Sequence, residues 1–152
     1  MNLDIVDRRI LRELQRDGTL SQTALAERVG ASAASCWRRV RALEAAGVLG
    51  QTVRLVNAGA VGMDINVICQ VRLKNHLPAT TASFEALLDE RPEILECFAV
   101  SGEWDYMLRV VAVSIAAYED FLRSALLAAD AVGAAASIFV LSTRKATTAL
   151  PV

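Results

Sequence analysis

The chain predicts an α+β fold in two parts, and three observations point to it. Apolar residues recur at helical spacing in three short segments up to residue 47, then alternate singly from residue 65 onward. Charge divides at the same place. Residues 1–56 hold nine arginines against six acidic residues, net +3, whereas residues 57–152 hold seven basic against eleven acidic residues, net −4. A glycine-bearing stretch, Asn57 to Gly62, separates the two patterns. The boundaries drawn from this are a first domain at 1–56, a linker at 57–63 and a second domain at 64–152.

In the first part, Asp4 to Asp17 reads as a helix, with Ile5, Val6, Ile10, Leu11 and Leu14 on one side and Arg8, Arg9, Arg12 and Glu13 largely on the other. Asp4 and Asp7 favour the positive end of its dipole, and Gly18 ends it. Ser21 caps a shorter helix to Val29, and Gly30 makes the tight turn that follows. From Ala31 to Gly47 the chain reads A-S-A-A-S-C-W-R-R-V-R-A-L-E-A-A-G. Cys36, Val40 and Leu43 form its apolar stripe, Ser32 caps it and Gly47 stops it.

The other face of that helix carries Ser35, Arg38, Arg39 and Arg41, with no acid before Glu44. Small residues let the backbone approach a major groove, hydroxyls and guanidinia reach base edges, and the remaining cations meet phosphate. Two short helices joined by a glycine turn, after a stabilising first helix, follow the helix-turn-helix plan. Ser32, Ala33, Ser35 and Arg38 are expected near bases of double-stranded DNA, with Arg41 among the phosphate-facing cations. Gln22 and Thr23 are expected on phosphate; Arg39 has a rival role as an internal ion-pair partner. Trp37 is expected to pack beside the buried stripe. Val48 to Val56 (V-L-G-Q-T-V-R-L-V) is β-rich and sits where a winged helix-turn-helix carries its strand or hairpin.

In the second part, Ile65, Val67, Cys69, Val71 and Leu73 alternate with Asn66, Ile68, Gln70 and Arg72, a half-buried strand. After Pro78, Phe84, Leu87 and Leu88 mark a helix ending near Arg91-Pro92. Strands follow at Leu95–Ser101 and Tyr106–Val113, then a helix with Tyr118, Phe121, Leu122 and Ala125 on one face, then a strand at Ser137–Thr143. The order β-α-β-β-α-β is the ferredoxin-like arrangement, one antiparallel sheet with both helices on a single face. Ile68 and the two apolar faces of the third strand predict that the uncovered face buries against another copy. The turn from Gly102 to Asp105 offers backbone N–H groups to an anion and the Asp105 carboxylate to an ammonium, or Asp105 fixes the turn itself.

Composition excludes other classes. Apolar residues make up 54% of the chain, yet no uninterrupted run approaches the ~18 residues of a membrane span. The start, M-N-L-D-I-V-D-R-R, is too acidic for a signal peptide, so no membrane partner and a cytoplasmic location are expected. Cys36, Cys69 and Cys97 stand too far apart for a zinc or redox motif and are expected to pack as small hydrophobes.

Five stretches resemble the Lrp/AsnC (leucine-responsive, feast/famine) transcriptional regulators. They are L-D-I-V-D-R-R-I-L-R-E-L-Q-R-D-G, L-A-E-R-V-G, R-R-V-R-A-L-E-A-A-G-V-L, G-E-W-D-Y-M-L-R-V at 102–110, and the terminal A-T-T-A-L-P. The resemblance implies a winged helix-turn-helix plus a ferredoxin-like ligand-sensing domain. It implies dimers paired through their sheets, commonly gathered into octamers. It also implies an amino-acid effector between dimers at Gly102, Glu103, Trp104, Asp105 and Tyr106. Where the family often has threonines entering its last strand, this chain has Ala135 and Ser137, one hydroxyl fewer. Sirohaem decarboxylases share the layout and form the rival, enzymatic reading. A tetrapyrrole site is expected to recruit histidines, and this chain has only His76, in a loop after the first strand. With no phosphate loop, metal-spaced cluster or nucleophile–base pair, the expectation is a regulator without catalytic residues, metal or cofactor.

Overall fold

The computed structural model describes residues 2–152, which divide into two compact units: residues 2–55 together with Arg144–Val152, and Val56–Thr143. The first unit holds α1 (Ile5–Arg16), α2 (Gln22–Val29) and α3 (Ala33–Ala45). Each begins on a side-chain cap. The Asp4 carboxylate accepts from the Val6 and Asp7 N–H groups while Asp7 accepts from Asp4 N–H, a reciprocal box. Ser21 accepts from Ala24 N–H and Ser32 from Ser35 N–H. Between α2 and α3, Gly30 sits at φ +75°, a left-handed turn that only glycine adopts without strain.

The core of this unit is Ile10, Leu11, Leu25, Ala26, Val29, Cys36 and Leu43. Ile5, expected in the buried stripe, is instead 67% exposed. It stands about 140° around the helix from Ile10, outside the strip that Val6, Ile10 and Leu14 define. Residues 50–56 differ from expectation in a second way: they form no strand. Val53, Leu55 and Val56 point into solvent because no neighbouring segment among the described residues takes up their backbone hydrogen bonds. High β-propensity without a partner leaves an extended segment.

In space, residues 144–152 cluster with the first unit. Leu150 N–H donates to the Gln15 carboxamide oxygen at 2.6 Å, and Gln15 Nε2 donates back to the Leu150 carbonyl at 3.3 Å. Arg12 Nε donates to the Val152 carbonyl at 2.5 Å, and the Val152 side chain packs on the core of the three helices. The charge split sharpens accordingly: the first unit holds eleven basic and six acidic residues, net +5, and the second five basic and eleven acidic, net −6.

The second unit is an antiparallel sheet in the order β2-β3-β1-β4, built from β1 (Ile65–Leu73), β2 (Ile94–Ala99), β3 (Tyr106–Ala112) and β4 (Val132–Phe139). Helices α4 (Pro78–Asp89) and α5 (Ile115–Phe121) cover one face, and a π-helical turn at Leu122–Leu126 prolongs α5. Val67, Cys69, Val71 and Leu73 of β1 and Leu108, Val110 and Ala112 of β3 meet Phe84, Tyr118, Phe121 and Leu126 in a single core. Phe84 is fully buried and lies 4.7 Å from the Tyr106 ring. The last strand starts five residues earlier than the sequence predicts. Ala134–Ala136 carry no β-branched signal, and pairing with β1 decides their conformation.

The opposite face has no helix. On it lie Asn66, Ile68, Gln70 and Arg72 of β1, Met107, Arg109 and Val111 of β3, Phe98 of β2, and Ala134, Ala136 and Ile138 of β4, as the alternation and register require. Phe98 and Ile138 are each 52% exposed there.

Candidate nucleic-acid interface and effector loop

Helix α3 buries Cys36 and Leu43 and so presents the opposite stripe, Ala34, Trp37, Arg38 and Arg41, to solvent. Ser32 and Ala33 are exposed at its first turn, and Ser35 is half-buried. Gln22 and Thr23 are exposed at the start of α2. Arg38 makes no ion pair among the described residues, and its cation is available to a polyanion. Arg41 lies 5.9 Å from the Trp37 ring centroid and 3.1 Å from Glu44. Trp37, expected to pack inward, is 54% exposed in the middle of the arginine stripe. Its place next to Cys36 in sequence is a third of a helical turn away from burial.

Arg39 is oriented differently. Its Nη1 lies 2.8 Å from Asp4 Oδ2 and 2.7 Å from Asp7 Oδ1, so the guanidinium ties α3 to the N-terminus of α1. The two carboxylates, Asp7 first, raise the Arg39 pKa. The Asp4 carboxyl is held below its ordinary value, chiefly by the Asp7 N–H and then by Arg39. Of the arginines assigned to DNA, the structure leaves Arg38 and Arg41 outward and engages Arg39 within the domain.

In the second unit, Gly102 takes φ +118° in the turn between β2 and β3. Asp105 Oδ2 accepts from Leu73 N–H at 2.8 Å, Asp105 N–H donates to the Val71 carbonyl, and Val100 N–H donates to the Asp105 carbonyl. The β1–β4 register shifts at Arg72/Leu73, the same point that Asp105 holds. Asp105 therefore anchors the loop to the end of β1. Tyr106 turns under the sheet against Phe84.

Glu103 and Trp104 remain on the open side, where they line a cavity of about 560 Å³ with Gln70, Ala99, Ser101 and Met107. Arg72 reaches both: its Nη2 is 2.8 Å from Glu103 Oε1, and its guanidinium sits 5.0 Å from the Trp104 ring centroid. Gln70, Arg72 and Met107 were not singled out in the sequence, since only strand pairing brings them to the loop. The structure does not bring Ala135 and Ser137 there. Opposite buried Val71 and Cys69, both face the helices, and the Ser137 hydroxyl shares a 2.6 Å hydrogen bond with Tyr118 OH. Burial raises the Tyr118 and Cys69 pKa values in that pocket. On the outer face their places are taken by Ala134 and Ala136, the latter paired with Gln70.

Comparison with known proteins fits this division. Residues 3–49 match the winged helix-turn-helix DNA-binding model, and residues 66–150 match the Lrp/AsnC ligand-binding domain. The chain belongs to the Lrp/AsnC family. Among its Lrp/AsnC relatives, the leucine-responsive regulatory protein of Rhizobium meliloti is 44% identical over 130 residues, covering 86% of this chain and 83% of that protein. A transcriptional regulator from Neisseria meningitidis, solved as a complex with L-Met, superposes with a TM-score of 0.95 at 35% identity, covering 99% of this chain and 97% of that one. An AsnC-family regulator from Agrobacterium tumefaciens gives a TM-score of 0.92 at 37% identity, covering 97% and 96%. This Lrp/AsnC chain is thus a DNA-binding transcriptional regulator, not an enzyme, and the sirohaem-decarboxylase alternative is set aside because its relatives are regulators. No helix among the described residues is long and apolar enough to cross a membrane.

Proposed function

We propose that this regulator works in the cytoplasm as a symmetric homodimer, able to gather into octamers, whose assembly on DNA responds to an amino acid. The observation that carries the reading is the position of the cavity at Glu103 and Trp104. It opens on the uncovered sheet face, between Gln70 and Met107, the face that a second copy would bury. A ligand bound there touches the seam of the assembly, and by binding one assembly better than another it shifts the equilibrium between them. The L-Met complex of the Neisseria regulator supports an amino acid as effector. Gly102, Glu103, Trp104, Asp105 and Tyr106 form the loop; Arg72, now paired with Glu103, is a cation for the effector carboxylate. Ala135 and Ser137 act from beneath the sheet and offer the ligand no hydroxyl.

On the DNA side, two copies of α3 enter successive major grooves of double-stranded DNA, so the operator is roughly palindromic with half-sites about 10 bp, or a multiple, apart. Ser32, Ala33, Ser35 and Arg38 read bases, Gln22, Thr23 and Arg41 hold phosphate, and Arg39 braces the helix. Arg38→Ala is expected to lower operator affinity by about 1–3 kcal/mol while sparing nonspecific binding, measured by titration of both duplexes at one salt concentration. Equal losses on the two duplexes reassign Arg38 to phosphate.

The test of the effector reading is a thermal-shift screen against the amino acids. A ligand at about 100 times its Kd adds about 2.7 kcal/mol to stability, a shift of a few degrees. The same ligand is expected to change the mass of the assembly in light scattering. No shift with any amino acid removes the effector from the proposal.

A further inference from the structure

The C-terminal strap on α1 is used by none of these roles. It leaves the sheet after β4, runs exposed through residues 141–148, and then docks on the helical unit rather than on the sheet it came from. The docking is specific in form. The Gln15 carboxamide pairs with both main-chain groups of Leu150, imitating one rung of a strand ladder, while the Leu150 side chain stays exposed. Arg12 takes the Val152 carbonyl, and the half-buried Val152 side chain packs against the core of the three helices. The other end of α1 carries Asp4 and Asp7, which hold Arg39 of α3. One helix therefore joins the strap to the recognition helix.

We propose that Gln15 is a positioning residue for operator binding: by docking Ala149–Val152 on α1 it gives the DNA-reading unit a second chain connection to the sensing unit, in addition to the extended residues 50–56. A reader held by a single linker swings freely, and a dimer must order both readers when it engages two half-sites. A reader held at two points has lost that freedom beforehand, so less ordering is required on binding. The inference rests on the dimeric reading above.

The experiment compares full-length protein with Gln15→Ala and Gln15→Glu on duplexes carrying one or two copies of a half-site selected from a random-sequence library. Wild type is expected to prefer the paired site. Gln15→Ala is expected to lose about tenfold in paired-site affinity, with single-site affinity nearly unchanged, because effective concentration and not contact has been lost. Gln15→Glu keeps the acceptor for Leu150 N–H and is expected to retain most of the preference. Hydrogen exchange at the Leu150 amide supplies an independent readout: protected in wild type, open in Gln15→Ala. Wild-type paired-site affinity in Gln15→Ala overturns the proposal, as does equal loss on both duplexes, which marks a merely structural role. If wild type itself shows no paired preference, the dimeric reading fails. The strap is then decided by exchange alone, and an unprotected Leu150 amide in wild type overturns it.

Discussion

Ile138→Asp is expected to leave each chain folded and to dissolve the proposed dimer. Ile138 sits on the helix-free face beside Ile68, half-exposed in the single chain, so aspartate there meets water and costs the monomer little. In a symmetric dimer paired through this face, the same carboxylate becomes a buried charge without a partner, at about 3–5 kcal/mol, and the two-fold axis repeats it. Dimer affinity should fall by at least two to three orders of magnitude. Operator binding should fall with it, because a monomer brings one recognition helix where the palindrome needs two. Sedimentation across a concentration series reads the mass, and a circular-dichroism melt confirms that the fold survives. An Ile138→Asp protein with wild-type mass at micromolar concentration would place the interface elsewhere.

The second large effect is at Asp105. Its carboxylate accepts from Leu73 N–H, in a side chain only 22% exposed, at the register shift that ends the regular β1–β4 pairing. Asp105→Ala leaves that N–H without its partner and releases the loop, a cost of about 1–3 kcal/mol in the stability of the sensing unit. Effector binding should be lost as well, because Glu103 and Trp104 are placed by the same anchor. Asp105→Asn separates the two roles assigned to this residue. The amide oxygen still accepts from Leu73 N–H, so an anchor survives the change, whereas a counter-ion for a ligand ammonium does not. Retained stability and a retained thermal shift in Asp105→Asn identify an anchor alone. Retained stability with the shift abolished identifies a direct contact.

The legible parts of this fold are those whose signal is local. Helices α1, α2 and α3 each announce themselves by an acid or serine cap followed by apolar residues three and four apart, and the structure places Asp4, Ser21 and Ser32 at those caps. Strands β1 and β3 alternate cleanly, and their buried residues are those the alternation selects. Strand β4 begins ahead of the predicted Ser137 because an alanine run is neutral between conformations and is decided by its neighbour. Composition and position after α3 predict a strand or hairpin over Val48–Val56, but neither supplies a hydrogen-bonding partner, and residues 50–56 stay extended. The strap at Ala149–Val152 has no periodicity to read; its conformation comes from Gln15, about 135 positions away in sequence.

The candidate site divides in the same manner. Arg38 and the loop at Gly102–Asp105 were visible as residue types in suggestive order. Which arginine points outward depends on Asp4 and Asp7, more than thirty positions earlier. That Gln70, Arg72 and Met107 join the loop depends on sheet pairing. That Ala135 and Ser137 turn away follows from the β1–β4 register, which sets them opposite buried Val71 and Cys69.

The net +5 of the helical unit with its strap and the net −6 of the sheet unit have a kinetic consequence. A duplex attracts the one and repels the other, so wrong-way encounters are penalised before any base is touched. Diffusion toward nucleic acid is steered, and productive collisions gain at low ionic strength. A chain that is nearly neutral as a whole keeps its positive field on the unit that reads DNA.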